Sequence, residues 1–323
     1  MSATLVPEKS FEHHGITFAV MLATVMQTLD STIANVALPH MQGSLAATQD
    51  QMSWVLTAYI VSAAITIPLI GWLSGYVGRK RIFLISIIGF VISSILCGVA
   101  ETLFQMVSFR LLQGICGAAL VPVSQAIMFD INSPRNYGKA MALWGIGVTV
   151  GPILGPALGG WLTDNYDWRW VFYINVPIGM VTLFILYYLL PESPIEKKKF
   201  DFFGFVTLSL GVGAMQLMLD RGQYKDWFSS LEIIAEALIA FLGYYLFIVH
   251  TLTFKKPFLD PILFKDRNFI SGSILIFSVG IVLFATLALI PPMLQEQLNY
   301  PVSTAGYVIA PRGMGTMFGM FLV

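Results

Sequence analysis

Apolar residues run along this chain in long blocks separated by short polar breaks. The blocks fall near residues 16–38, 52–77, 82–100, 103–129, 138–163, 170–190, 202–219, 231–254, 269–291 and 303–323. As helices rising about 1.5 Å per residue, such blocks are long enough to cross a hydrocarbon layer about 30 Å thick. Backbone amides in lipid must be satisfied within a helix or a closed barrel, and these runs are too long and too uniformly apolar for barrel strands. The predicted fold is therefore all-α, a polytopic bundle of ten membrane-spanning helices.

The breaks carry the orientation signal, because Lys and Arg concentrate in short cytoplasmic loops. Alternate breaks hold Lys9, then Arg79, Lys80 and Arg81, then Arg135 and Lys139, then Lys197 to Lys199, then Lys255, Lys256, Lys265 and Arg267. The opposite set holds Arg169, Arg221 and Lys225, while Arg110 and Arg312 fall inside predicted spans. The lipid bilayer is thus the expected surroundings, with the N-terminus in the cytoplasm. The two most basic breaks bracket spans seven and eight as a separate pair. This divides the chain into a cytoplasmic segment 1–15, a six-helix bundle 16–190, a basic loop with two inserted helices 191–254, and an incomplete second bundle 255–323.

Composition narrows the function. Of 323 residues, 56% are hydrophobic and 11% charged, against about 25% charged in ordinary soluble domains. The net charge of +0 gives no basic excess for nucleic acid, which is not an expected partner. Cys97 and Cys116 lie in apolar runs without metal spacing. His13, His14, His40 and His250 are scattered at span ends, and no phosphate loop or nucleophile elbow is present. No metal, cofactor or enzymatic activity is expected. The first apolar block contains Asp30 and has no small-residue cleavage site, so it reads as a retained span.

Two ionisable residues stand out. Asp30 in span one costs about 2.5 to 3.5 kcal/mol at mid-membrane on insertion scales, and Arg110 in span four is as expensive. Asp30 lies about 21 Å above the inner end of its span and Arg110 about 10 Å below the outer end of an oppositely directed one. Those depths nearly coincide, so the two can pair. The pair is either a static packing device or part of an ion pathway, and intramembrane ionisable groups usually mark pathways. Glu101, Asp130, Asp164 and Asp220 fall at span ends, and Glu236 is shallow enough to snorkel. Gln27 and Gln113 lie three residues from the two charges and share their helix faces. They either line a polar substrate cavity or bond helix to helix.

Small residues form two further patterns. In span five Gly147, Gly151, Gly155 and Gly159 recur every four residues, followed by Gly160 and interleaved with Pro152 and Pro156. The spacing clears one helix face for a neighbouring backbone, and the prolines predict a bend. Gly71, Gly78, Arg79 and Lys80 mark the turn from span two to span three, either as a topology anchor or as a conformational element. Trp168, Trp170, Phe172 and Tyr173 are expected at the outer interface, where amphipathic rings prefer to lie.

At these residues the chain resembles the major facilitator superfamily, in particular its fourteen-span drug:proton antiporters of the EmrB type. Gly71 to Arg81 is similar to the loop motif between spans two and three, Arg110 to Gly117 to the fourth-span arginine motif, and Gly147 to Gly160 to the antiporter motif of span five. The segments Leu29 to Pro39, Trp168 to Gly179 and Leu219 to Ser230 resemble the EmrB group itself. Gly75 stands where the loop motif usually carries an acid. The resemblance implies a proton-coupled antiporter in a bacterial cytoplasmic (inner) membrane, exporting hydrophobic drugs against inward protons by alternating access between two bundles. Asp30 and Arg110 would be the proton-coupling pair. A periplasmic adaptor and an outer-membrane channel are implied partners in a Gram-negative host. Six helices are expected in the second half, so the resemblance also implies a C-terminally incomplete chain. Export of a specific metabolite or siderophore, or a non-transporting membrane component, are the rival readings. The orientation is testable with an impermeant cysteine reagent: tags in 191–201 and 255–268 should stay unlabelled from outside, whereas one in 221–230 should react.

Overall fold

The computed structural model describes residues 10–195, 199–298 and 300, with isolated helical residues at 308, 311, 315 and 319. Nearly all of the tenth predicted span, together with Lys9, Lys197, Lys198 and Arg312, lies outside the described residues. Among those described, eight helical segments are long and apolar enough to cross a membrane. They match predicted spans one to eight, and a further helix continues the series at span nine. The chain is a multi-pass membrane protein.

Capping residues open several helices. Ser10 caps α1 (Phe11–Ser44) by accepting from the His13 amide. Thr48 with Gln51 and Thr102 with Gln105 form capping boxes on α2 (Gln49–Val77) and α4 (Leu103–Gly117). At 34 residues α1 is about 51 Å long, so it extends beyond the bilayer core. The turn between α2 and α3 (Arg79–Gly98) is the single residue Gly78, whose φ of +97° favours glycine.

Two predicted spans are each divided in the same way. Span four breaks between α4 and α5 (Leu120–Ile131), and span six between α7 (Trp170–Tyr173) and α8 (Asn175–Leu189). In each case a proline lies four residues beyond the affected carbonyl: Pro122 has no amide for Ala118, and Pro177 none for Tyr173. The intervening residues keep right-handed helical angles, so each span continues through a local irregularity. By contrast α6 (Tyr137–Asn165) runs as one element through Pro152 and Pro156.

Buried apolar side chains form two clusters. One joins Ile16, Val20, Met26, Phe83, Phe90 and Leu120 with their neighbours; the other joins Leu29, Ile33, Met41, Val55, Met106 and Phe172. The exterior is apolar as well, with Phe104, Phe184, Phe241 and Leu252 among the exposed side chains, as lipid-facing surfaces require. Trp168 and Phe172 depart from the interfacial expectation. Both are buried in the second cluster, and the Trp168 indole donates to Ser44 Oγ at 3.0 Å while Arg169 covers its ring. Trp170 is exposed as anticipated.

Helices α9 (Phe202–Arg221) and α10 (Leu231–Thr253) pack on each other where Gly243 meets Gly211: a Cβ on Gly243 would come within 2.6 Å of the Gly211 nitrogen. The pair docks on α2 through Thr57, which donates to Asp220, and through Arg221 stacked over Trp54. Arg221 and Lys225 both pair with Glu232. Glu236 does not reach water with both oxygens, since its Oε2 is buried without a partner among the described residues. Helix α11 (Arg267–Pro292) is exposed over most of its described length.

At the opposite end of this pair Asp201 caps α9. Its buried carboxylate accepts from the Gly204 amide at 3.0 Å, the Phe258 amide at 2.9 Å and His250 Nε2 at 2.9 Å. Burial pushes this carboxyl up, but the bonds from Gly204, His250 and Phe258 and the His250 charge outweigh it and hold the group below its ordinary value. A lowered folded value means the stabilisation is present at neutral pH and is lost as pH falls through that value. Asp201→Ala is expected to cost about 1–2 kcal/mol at pH 7, read as a lower unfolding temperature, with the difference from wild type shrinking in acid below the usual carboxylate range.

Candidate functional site

Where the two apolar clusters meet, a polar layer crosses the bundle. Asp30 on α1 is fully buried and Arg110 on α4 is 1% exposed. Arg110 Nη1 donates to Asp30 Oδ2 at 2.7 Å and to Gln113 Oε1 at 2.7 Å, and Nε donates to the Val55 carbonyl at 3.1 Å. The guanidinium lies 4.3 Å from the centroid of the Tyr59 ring, a cation–π geometry. The pairing expected from depth is present.

Gln113 is fully buried and belongs to the pair. Its Nε2 donates to Asp30 Oδ1 at 2.8 Å and to Ser94 Oγ at 2.8 Å. Gln27 donates instead to the Tyr59 hydroxyl at 3.3 Å. Of the two readings open for these glutamines, helix-to-helix hydrogen bonding describes both as they are placed, and Gln113 has its amide bonds taken within the bundle. Two network members were not anticipated. Asn175 at the start of α8 donates to Asp30 Oδ1 at 2.8 Å and to Ser94 Oγ at 2.9 Å. The signal for Asn175 was available, since an amide inside an apolar span has to be paired, but its neighbours Trp170 to Tyr173 drew the segment into an interfacial reading. Ser94 carried no signal, because serines are common in membrane helices and bond their own backbone.

The glycine face of α6 packs against α1, at the residues around Asp30. A Cβ on Gly151 would come within 2.6 Å of the Leu29 nitrogen, one on Gly155 within 3.0 Å of Thr32 Cβ, and one on Gly159 within 2.9 Å of Ile33 Cγ1. Thr32 Oγ1 also lies 3.2 Å from the Gly151 carbonyl. Gly147 has ordinary clearance to Met21, and Gly160 has open space apart from Val36 at 4.0 Å. The groove thus narrows to three glycines, whose neighbours on α1 run from Thr28 to Val36. Pro152 and Pro156 lie between them.

In the turn after α2, Gly78 supplies the left-handed backbone, whereas Gly71 and Gly75 have nothing within 4 Å of a Cβ. Arg79 pairs with Asp130 at the end of α5, tying spans three and four. Arg81 lies 3.6 Å from Glu192 in an exposed pair, and such pairs contribute little. Lys80 is half-buried.

Eight long apolar helices among the described residues, with the buried Asp30–Arg110 pair between two of their spans, define an integral membrane protein. The family model described as Major Facilitator Superfamily matches residues 20–323, and the chain belongs to this superfamily. Among its relatives, the multidrug export protein EmrB of Escherichia coli K12 is 43% identical over 93% of this chain. The fatty acid resistance protein FarB of Neisseria gonorrhoeae is 41% identical over 94%. This chain spans 59% and 60% of those two proteins' lengths. The solved structure of the proton:xylose symporter XylE superposes with a TM-score of 0.66 at 14% identity, covering 96% of this chain and 68% of that one; the likeness is one of fold.

The clearances predict opposite outcomes for glycines of similar appearance in sequence. Gly155→Leu and Gly151→Val should lower the unfolding temperature while the protein still inserts, because α1 would be forced off α6. Gly71→Ala and Gly160→Ala should match wild type. An unchanged unfolding temperature in inserted Gly155→Leu would show that the contact carries no weight.

Proposed function

We propose that this chain works as a proton-coupled antiporter that exports hydrophobic compounds across the cytoplasmic membrane, with its N-terminus inside and no catalytic chemistry of its own. The observation that carries the reading is the Asp30–Arg110 pair, buried at 2.7 Å within the bundle. With Asp30 ionised the pair is neutral as a unit. A proton on Asp30 leaves Arg110 as an uncompensated buried cation, which is costly by several kcal/mol. Proton uptake therefore has to coincide with rearrangement or wetting of the helices around the pair, and that link is what an antiporter needs to convert a proton gradient into alternating access. The tight α1–α6 contact beside Asp30 is the route by which a shift of α1 would reach the rest of the bundle.

The relatives' names support the cargo class: one is a multidrug exporter and another confers fatty acid resistance. Both point to apolar or amphipathic compounds and away from a polar metabolite or siderophore. In a cell with two membranes, a periplasmic adaptor and an outer-membrane channel would complete the export path.

In vesicles reconstituted with the complete protein, Asp30→Asn should insert and bind drug but lose drug-induced proton release and uphill export driven by a pH gradient. Uphill export by Asp30→Asn at the wild-type rate would make Asp30 structural and sink this mechanism. Arg110→Ala should be harmful differently, by leaving a buried anion unpaired at a cost of about 3–5 kcal/mol, seen as loss of folded protein before any loss of turnover.

A further inference from the structure

The three side chains that bond the Asp30 carboxylate are all donors: Arg110 Nη1 on Oδ2, and Gln113 Nε2 and Asn175 Nδ2 on Oδ1. The cage fits the anion. It contains no acceptor aimed at an O–H on Asp30, because arginine has none and the two lone pairs of Gln113 Oε1 are taken by Arg110 Nη1 at 2.7 Å and Cys97 Sγ at 3.7 Å. The remaining candidate is Asn175 Oδ1, which is buried with no hydrogen-bond partner among the described residues. Asn175 also differs from Gln113 in its origin. Gln113 shares α4 with Arg110, whereas Asn175 comes from α8, so its bond is what links span six to the carboxylate.

We propose that Asn175 is a positioning residue that binds span six to the ionised form of Asp30, so that proton uptake releases this helix from span one. Adding a proton to Asp30 allows two responses. Either the Asn175 amide turns over to offer Oδ1 to the new O–H, or α8 moves away from α1. In both, the Nδ2 bond to the carboxylate is lost. The charged and titratable groups facing Asp30 are Arg110 from α4, Tyr59 from α2 and Cys97 from α3. Helix α6 meets the adjoining residues Thr28, Leu29 and Thr32 through Gly151 and Gly155, and Phe172 of α7 lies over Arg110. Asn175 is thus the contribution of α8 to the cage. The proposal rests on the reading of Asp30 as the proton carrier.

The test follows the infrared stretch of a protonated carboxyl group against pH in the complete protein, assigned to Asp30 by its loss in Asp30→Asn. Asn175→Ala removes one donor from the anion and introduces no bulk. The Asp30 band should then appear at about tenfold lower proton concentration than in wild type. Ser94→Ala, which frees both amides that Ser94 orients, should move the band in the same direction by less, and it serves where Asn175→Ala does not insert. An unmoved midpoint in an inserted variant overturns the proposal and leaves the coupling reading intact. A moved midpoint together with uphill export by Asp30→Asn keeps Asn175 as the positioning residue and removes the coupling reading. A wild type with no such band at any pH overturns both.

Discussion

A single buried ion pair organises the N-terminal six spans. Asp30 and Arg110 come from oppositely directed helices, and neither is tolerable in an apolar interior without the other. Satisfying the remaining hydrogen-bonding capacity of the two groups draws in Gln113 from α4, Ser94 from α3, Asn175 from α8 and the Val55 carbonyl from α2. Five helices thus meet at one level. The two apolar clusters lie on either side of this level, one ending at Met26, Tyr59 and Phe90 and the other beginning at Leu29, Val55 and Phe172. A half-satisfied polar network in such a place would cost more than an apolar one, so the network constrains which helices can be neighbours.

Close approach supplies the second constraint. Helix α1 carries Asp30 and also lies against the three tight glycines of α6, with the contact spanning Thr28 to Ile33. The charge and the packing groove therefore act on the same turn of the same helix. Little slack is left on the α6 side, because the Thr28 hydroxyl and the Leu29 nitrogen both lie within 2.6 Å of where a Cβ on Gly151 would stand. A rigid contact beside a titratable group is a sound arrangement for transmitting displacement, whereas a flexible one would dissipate it.

The spans were legible because an apolar run of membrane length has few alternatives, and nine of the ten fall on described helices. Asp30 and Arg110 were legible for a related reason: their burial cost is so high that each demands a partner, and helical rise fixes depth without any knowledge of packing. What sequence could not give is azimuth. Depth alone does not tell which helix faces Asp30, so Asn175 and Ser94 went unseen, and Gln113 stayed ambiguous between a cavity and a bond. The same gap explains Trp168, whose span-end position suited an interface but whose ring points inward to Ser44. It also explains why four glycines at regular spacing reduce to three in tight contact: a stripe marks a face, and only the crossing with α1 decides where along it the backbones touch.

The linker helices follow a different logic from the six-span bundle. Polar groups hold the pair at both ends: Asp220 and Arg221 against α2, with Arg221 also on Glu232, at one end, and Asp201 with His250 between α9 and α10 at the other. Most of the remaining surface of α10 is exposed and apolar, with Leu238, Phe241, Leu242 and Tyr245 facing outward. In lipid such a face gains nothing from burial against protein, because lipid tails are as apolar as the side chains. Position is then held by the close Gly211–Gly243 contact midway and by the ends, where water or headgroups meet the helix and a charge pair or a cap has an energetic alternative to lose. The Asp201 cluster is therefore the feature that sets where the chain leaves α10 toward α11, since the Phe258 amide bonds the same carboxylate that caps α9. The pair is thus tied to the bundle at its Asp220 end and to the following segment at its Asp201 end, while Leu238, Phe241 and Leu242 face outward.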